Sequence, residues 1–128
     1  IDQTLLHARE TGVVKTLFGR RRLVPELNSR NGQIRAATER VTVNMPIQGT
    51  AADILKKAMI AVHAALPARG FRARMILTVH DELLFEAPVE EADRAAETVR
   101  EQMEGVASLK VPLTVDVGIA ENWRDAKP

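Results

Sequence analysis

The sequence predicts an α+β fold in which an antiparallel sheet carries helices packed on one face. Segments with the apolar spacing of helices are interspersed with short β-branched runs that pair as hairpins. This order of elements is typical of α+β architectures rather than of parallel α/β sheets. The chain has 128 residues, of which 45% are hydrophobic, so we expect one domain, residues 1–128, with a substantial core.

The first thirty-two residues predict a helix, a hairpin and a loop. Residues 1–11 have helical apolar spacing, and the glycine that follows them predicts the helix end. VVKTLF (13–18) and RRLV (21–24) predict a short hairpin that turns around Gly-Arg. NSRNG (28–32) has the composition of a loop.

Two helical patterns follow and are separated by a proline. Residues 33–43 have helical spacing, and Pro46 is expected to stop this helix and to begin another. The second pattern is the longest in the chain, and we expect Pro67 and Gly70 to end it.

The last part of the chain predicts a hairpin, a helix and a strand. FRARMILTV (71–79) and ELLFEA (82–87) predict antiparallel strands. Residues 89–105 predict an acidic amphipathic helix, whose buried stripe would contain Ala92, Ala96, Val99 and Met103. Residues 111–119 alternate apolar and polar side chains, which predicts a half-buried strand.

Charge is distributed unevenly along the chain. The net charge of +1 results from +4 in residues 1–40, +4 in residues 41–80 and −7 in residues 81–128. Such asymmetry favours a basic surface for a polyanion and a separate acidic surface. The chain has no cysteine, which excludes disulfides and thiolate zinc sites. We expect no membrane association, because no apolar stretch approaches the ~18 residues of a membrane span.

A pair of carboxylates interrupts the second predicted hairpin. Asp81 and Glu82 follow His80 and are expected to lie on the chain reversal. Two-residue turns favour Asn-Gly or Asp-Gly, so Asp-Glu is a poor turn sequence and indicates a functional site. Adjacent carboxylates repel each other, and Mg²⁺, which prefers one or two carboxylates with waters and phosphates, relieves that repulsion. Taken alone, the triplet is better explained as an ordinary polar turn, and the rest of the chain favours the metal site.

Polar donors recur in two other segments. FGRRR (18–22) clusters three guanidinium groups, which suit bidentate binding of phosphate. Arg40, Asn44 and Gln48 are spaced by four residues, as on one face of a helix, and can donate to phosphates, sugars and minor-groove bases. A solvated basic turn and a routine polar helix edge remain the alternatives.

Three long motifs resemble one known family. TLFGRRRLVPEL (16–27), ERVTVNMPIQGTAADI (39–54) and LTVHDELLFEAP (77–88) are similar, in order, to the C-terminal palm region of the bacterial family A DNA polymerases. The final GIAENW (118–123) is similar as well. The resemblance covers nearly the whole chain and implies the α+β fold of a partial polymerase palm.

The resemblance implies roles for particular residues. Asp81 matches the family's metal-binding aspartate, and Glu82 matches the carboxylate beside it; both are expected to be catalytic and to bind metal. The expected DNA contacts are Arg22, Arg40, Asn44, Gln48 and His80. The implied reaction is two-metal nucleotidyl transfer, in which a primer 3′-hydroxyl attacks a deoxynucleoside triphosphate and pyrophosphate leaves.

The same resemblance implies partners and missing parts. The cofactor is Mg²⁺, with half of its two-metal site supplied by this chain, and the partners are primer-template DNA, a dNTP and the remainder of the polymerase chain. The other metal-binding aspartate and the nucleotide-binding helix are expected upstream of Ile1, so the chain alone is expected to be inactive. The implied location is the bacterial cytoplasm, in association with the nucleoid.

Two other functional classes remain open at this stage. A non-catalytic nucleic-acid-binding module would use Arg22, Arg40 and Gln48 and would retain the carboxylates without a catalytic role. A metal-dependent phosphohydrolase would use His80 and Asp81 as ligands. The second alternative is disfavoured because the chain's other histidines are predicted on separate helices.

Overall fold

The computed structural model describes residues 2–128; Ile1, which the sequence predicts in the first helix, lies outside the described residues. The chain divides into two compact units, one ending at Asp53 and the other spanning Ile54–Pro128. Each unit contains one two-stranded antiparallel sheet and helical elements. The α+β class is therefore confirmed, although the structure has two small sheets where the sequence predicts one.

The first unit begins with the predicted helix and hairpin. Helix α1 (Asp2–Thr11) ends at Gly12, whose φ of +74° and N–H bond to the Ala8 carbonyl, 2.7 Å, are those of a helix terminus. Strands β1 (Val13–Lys15) and β2 (Arg21–Leu23) then pair antiparallel. Both strands are shorter than the sequence predicts. A single 3₁₀ turn (Pro25–Asn28) follows β2.

A small apolar core holds the hairpin of the first unit in place. The buried residues of this core are Ala8, Val14, Val24 and Leu27, and Leu5 and Met45 pack against them. These residues come from α1, the hairpin, the 3₁₀ turn and α2. This core therefore attaches the hairpin to the helices through side-chain packing rather than through strand pairing.

Helix α2 (Gly32–Ala68) is continuous, so the prediction that Pro46 separates two helices is wrong. Proline lacks the N–H that would bond the carbonyl four residues earlier, and it costs about 3 kcal/mol inside a helix. Packing around the proline offsets this cost, because Thr42 is fully buried and Met45 packs on the core of the first unit. The hydroxyl of Thr42 also donates to the Thr38 carbonyl, at 2.7 Å.

Helix α2 ends in the second unit at the glycine that the sequence indicates. Gly70 has a φ of +81°, and its N–H bonds the Pro67 carbonyl while the Phe71 N–H bonds the Leu66 carbonyl, each at 3.0 Å. This pair of bonds is the Schellman arrangement, which satisfies carbonyls that the helix leaves free. Pro67 itself lies within the last helical turn.

The second unit packs a hairpin and a helix around one core. Strands β3 (Arg74–Val79) and β4 (Glu82–Glu86) pair antiparallel, as predicted, and α3 (Ala92–Glu104) follows a short 3₁₀ turn. The core contains Val62, Leu66, Ala73, Ala95 and Val99. On α3, Val99 is buried and Met103 packs on the core as predicted, whereas Ala92 and Ala96 are only half-buried.

Residues 111–119 form no strand, so that prediction is wrong. The predicted alternation is present, because Leu113, Val115 and Val117 are half-buried while Thr114 and Asp116 are exposed. A strand also requires a ladder of hydrogen bonds to a neighbour. No described strand pairs with this segment, so it is not part of a sheet.

Candidate nucleic-acid interface and metal-binding turn

One groove in the first unit collects four of the sequence-predicted site residues. Arg40, Asn44 and Gln48 are exposed along α2 and line the groove together with Arg22 from β2. Its volume is about 630 Å³. The remaining lining residues are Ala37, Val41, Met45 and Gly49. The continuity of α2 through Pro46 keeps the three polar residues on one helical face.

The register of the first hairpin explains how Arg22 reaches this groove. Arg22 is directly opposite Val14 in the ladder, and directly opposed residues lie on the same face of a hairpin. Val14 is buried in the core of the first unit. Arg22 therefore projects on the core-facing side of the hairpin, while its side chain remains exposed at the groove.

The polar groups of the groove are free to bind a ligand. Within residues 2–128, the side chains of Arg22, Arg40, Asn44 and Gln48 form no hydrogen bond or ion pair with the protein. Other arginines are paired with carboxylates, including Arg9, Arg20, Arg69, Arg72, Arg74 and Arg100. Two unpaired guanidinium groups beside two unpaired amides form a surface that suits phosphates and hydrogen-bond acceptors.

The second hairpin turns between the predicted strands, 71–79 and 82–87, but the expectation that Glu82 also lies on the chain reversal is wrong. Val79 pairs with Glu82, so His80 and Asp81 form the two-residue turn and Glu82 is the first residue of β4. His80 has a φ of +55°, which histidine adopts more readily than most residues but at a cost of about 1–3 kcal/mol. Backbone strain of this kind concentrates at functional sites.

The acidic residues of this turn are available to a cation. Asp81 and Glu82 are exposed, and neither carboxylate has a hydrogen-bond or ion-pair partner in the described part of the chain. No group of three or more His, Cys, Asp or Glu side chains is placed to hold a metal among the described residues. Two free carboxylates fit Mg²⁺, which takes its other ligands from water and substrate phosphates. They would supply only part of a coordination sphere.

The groove and the acidic turn belong to different units. Arg22, Arg40, Asn44 and Gln48 lie in the first unit, and the three residues His80, Asp81 and Glu82 lie in the second. The histidines of the alternative phosphohydrolase site, His7 and His63, lie on α1 and α2.

Contacts that were not predicted from the sequence attach the first hairpin to α2. The Thr16 hydroxyl donates to Asp53 Oδ2 at 2.7 Å, and Arg20 Nε donates to Asp53 Oδ1 at 2.6 Å. The Leu17 N–H donates to the Thr50 hydroxyl at 2.9 Å. One signal for these contacts was present in the sequence, because Asp53 is the single acidic residue between positions 41 and 80.

Gly49 allows the hairpin to approach α2 closely, and Gly49→Ala is expected to destabilise the protein. An alanine normally stabilises a helix interior by up to about 1 kcal/mol relative to glycine. Here a Cβ would lie 2.6 Å from Thr16 Cγ2, and Thr16 is buried and held by its hydrogen bonds to Asp53 and Arg20. We expect the melting temperature to fall by several degrees, since overpacking costs about 1–3 kcal/mol.

The double variant Thr16→Ser/Gly49→Ala provides the control for this clash. Serine keeps the hydroxyl and removes the methyl group that the new Cβ would meet. The double variant should therefore be more stable than Gly49→Ala alone. A Gly49→Ala variant as stable as the parent, measured by thermal unfolding, contradicts the prediction.

Comparison with known proteins defines the class of protein. The model of the family "DNA polymerase family A" matches residues 1–125, and the chain belongs to this family. The resemblance of the three sequence motifs is thereby confirmed. None of the described helices is both long and apolar enough to cross a membrane.

Individual relatives are bacterial DNA polymerases I. The thermostable DNA polymerase I of Thermus thermophilus is 53% identical over 127 residues, which are 99% of this chain and 15% of the relative. DNA polymerase I of Deinococcus radiodurans is 54% identical over 127 residues, again 99% of this chain and 13% of the relative. The chain thus spans about 15% of the length of the curated relatives that it matches.

A solved structure has the same fold over almost the whole chain. It is the POL domain of Pol1 from M. smegmatis in complex with DNA primer-template and dNTP. The similarity has a TM-score of 0.94 at 47% sequence identity and covers 98% of this chain and 22% of that one.

Proposed function

We propose that this chain is the part of a family A DNA polymerase that holds primer-template DNA and supplies carboxylates for Mg²⁺ during template-directed synthesis from dNTPs. The observation that carries the proposal is the groove in which Arg22, Arg40, Asn44 and Gln48 meet without protein partners. Family membership and the similar polymerase domain bound to DNA primer-template and dNTP support it.

The groove binds a nucleic-acid duplex through two kinds of contact. Arg22 and Arg40 neutralise backbone phosphates, a contact that contributes affinity independently of sequence. Asn44 and Gln48 donate to minor-groove acceptors, which are nearly the same for every base pair. Together these contacts favour a correctly shaped duplex over a particular sequence, as a template-directed enzyme requires.

The acidic turn contributes the carboxylates of the reaction. Asp81 and Glu82 hold Mg²⁺, and His80, at the same turn, contacts the primer end. The ion that these carboxylates would hold would supply charge neutralisation for the attack of the primer 3′-hydroxyl on the α-phosphate, with pyrophosphate as the leaving group. The remainder of the polymerase chain supplies the other metal-binding aspartate and the residues that bind the nucleotide.

Gln48→Ala in the full-length polymerase tests the groove. We expect kcat/KM for primer extension to fall by about 5-fold or more, because the variant loses a hydrogen bond of roughly 1 kcal/mol or more at the primer terminus. The free energy of unfolding should change little, since Gln48 is exposed and its side chain forms no hydrogen bond or ion pair in the described chain. Steady-state extension of matched and mismatched primer termini measures the effect.

Gln33→Ala is the matched control for this variant. Gln33 is an exposed glutamine on the same helix, but it does not line the groove. Its replacement should leave extension unchanged on both kinds of terminus. If Gln48→Ala also leaves matched and mismatched extension unchanged, the groove does not contact the primer terminus and the proposal loses its main support.

A further inference from the structure

A buried carboxylate closes a ring of hydrogen bonds between the arginine hairpin and α2. Asp53 accepts from the Thr16 hydroxyl, 2.7 Å, and from Arg20 Nε, 2.6 Å, one bond to each carboxylate oxygen. The Thr16 hydroxyl in turn accepts the Arg20 backbone N–H, 3.1 Å. The three residues are therefore linked pairwise, and the ends of the loop between β1 and β2 are fixed to one position on the helix.

The two charged members of this ring differ in exposure. The Asp53 side chain is 6% exposed, whereas the Arg20 side chain is 57% exposed. A carboxylate this deeply buried is stable only if its oxygens receive hydrogen bonds, and here both do. The ring thus restricts the hairpin more strongly than an exposed ion pair would, because its acceptor cannot exchange its partners for water.

The ring is connected directly to a groove residue. Arg20 immediately precedes β2, in which Arg22 is the second residue. A second bond, from the Leu17 N–H to the Thr50 hydroxyl, attaches the same loop to the adjoining part of α2. The backbone that carries Arg22 is consequently held beside the helix face that carries Arg40, Asn44 and Gln48.

We propose that Asp53 is a positioning residue for DNA binding: through Thr16 and Arg20 it orders the hairpin so that Arg22 meets the phosphate backbone in the groove. This inference rests on the proposed function, because it takes Arg22 to be a DNA contact. It adds a residue that does not itself touch DNA. Its effect on affinity passes through the geometry of the hairpin.

Asp53→Asn in the full-length polymerase distinguishes positioning from charge. The substitution removes a negative charge, so electrostatics alone would tighten DNA binding and steepen its salt dependence. If Asp53 positions Arg22, the substitution instead weakens DNA binding, because Arg22 is no longer held in the groove. We expect the Kd for primer-template DNA to rise about 10-fold, as the loss of one ordered charged contact implies, and the salt slope to fall by about 1.

Glu26→Gln provides the control for charge. Glu26 is exposed in the same unit, and its side chain has no partner among the described residues, so the variant makes the same change in charge without affecting the ring. It should bind DNA as tightly as the parent or slightly more tightly. In Asp53→Asn, kcat at saturating DNA and the KM for dNTP should stay unchanged, because only DNA affinity depends on Arg22.

A double-mutant cycle with Arg22→Ala separates this inference from the proposed function. Arg22→Ala alone should raise the Kd about 10-fold, and adding Asp53→Asn should then raise it no further. If Arg22→Ala has no effect, the proposed DNA contact is wrong. If Arg22→Ala weakens binding but Asp53→Asn does not, or if the two effects multiply independently, the positioning role is overturned and the DNA contact stands.

If Asp53→Asn does not fold, a pair of variants at Thr16 tests the positioning role instead. Thr16→Val removes the hydroxyl of the ring and keeps the methyl group beside Gly49, whereas Thr16→Ser keeps the hydroxyl. Thr16→Val should weaken DNA binding several-fold, by about the value of one hydrogen bond, and Thr16→Ser should bind like the parent. Equal Kd values for the two variants overturn the proposal.

Discussion

Asp81→Ala in the full-length polymerase is expected to lower the rate of primer extension by about 10³-fold or more, because a metal ligand contributes several kcal/mol of transition-state stabilisation. Asp81 lies in the two-residue turn of the β3–β4 hairpin, where its carboxylate is exposed and has no partner in the described chain. Removal of the side chain therefore breaks no hydrogen bond or ion pair of the described chain.

Single-turnover extension at saturating DNA and dNTP measures this loss, with Asp116→Ala as the matched control. Asp116 is another exposed aspartate of the second unit, and it lies outside the turn. Its replacement should leave the rate unchanged. The melting temperature of both variants should stay near that of the parent, since exposed substitutions usually change stability by less than about 0.5 kcal/mol. Turnover close to normal in Asp81→Ala would remove this residue from the mechanism.

The same variant also separates an enzyme from a module that only binds nucleic acid. Primer-template affinity should largely survive Asp81→Ala, because the proposed DNA-contacting groove is formed by other residues, Arg22, Arg40, Asn44 and Gln48. Loss of extension with retained binding indicates a catalytic carboxylate. If the parent protein itself binds DNA without extending a primer, the carboxylates have no catalytic role and the binding module is the better description.

Local chemistry made much of the first unit predictable. The end of α1 could be predicted from Gly12 alone, since glycine readily adopts the left-handed conformation that ends a helix. The four-residue spacing of Arg40, Asn44 and Gln48 placed these residues on one face, and the structure adds Arg22 to the same groove. Helical periodicity could not predict that Arg22 lies in this groove, because its position depends on the pairing of β2 with β1 and on the packing of Val14.

The errors in the prediction arise where distant contacts override local preference. Pro46 is a helix breaker by its covalent chemistry, yet α2 continues because buried packing at Thr42 and Met45 offsets the missing hydrogen bond. The hydrogen-bonded ring around Asp53 could likewise not be predicted, because Thr16 and Asp53 are thirty-seven residues apart in sequence. A lone acid in an apolar helix identifies a candidate for a buried contact without identifying its partner.

Strand register and strand pairing were two further features that the sequence predicted only in part. The predicted strands of the second hairpin leave the two turn residues that the structure shows, His80 and Asp81, but Glu82, which was also expected on the reversal, is the first residue of β4. Residues 111–119 show the alternation of a half-buried strand without being one. Alternation reports which side chains face an apolar surface, whereas a strand also needs a partner for its backbone, and that partner is not specified locally.

The isolated chain, residues 1–128, is expected to incorporate no nucleotide above background in a primer-extension assay with Mg²⁺ and all four dNTPs. Asp81 and Glu82 provide two carboxylates, and the described residues offer no third His, Cys, Asp or Glu positioned beside them. Two-metal phosphoryl transfer requires ligands for both ions and residues that hold the nucleotide, and we expect these from the remainder of the polymerase. Circular dichroism should accompany the assay, so that inactivity is recorded on a chain of known helix content.

An Asp81→Ala version of the isolated chain, purified in parallel, identifies contaminating polymerase in this assay. Incorporation that both chains show to the same extent comes from a contaminant. Incorporation by the parent chain alone would contradict the expected inactivity, while it would support the role of Asp81, because activity would then depend on that carboxylate. The two proposals can therefore fail independently: one assigns chemistry to the acidic turn, and the other states that the turn and the groove are insufficient without the rest of the enzyme.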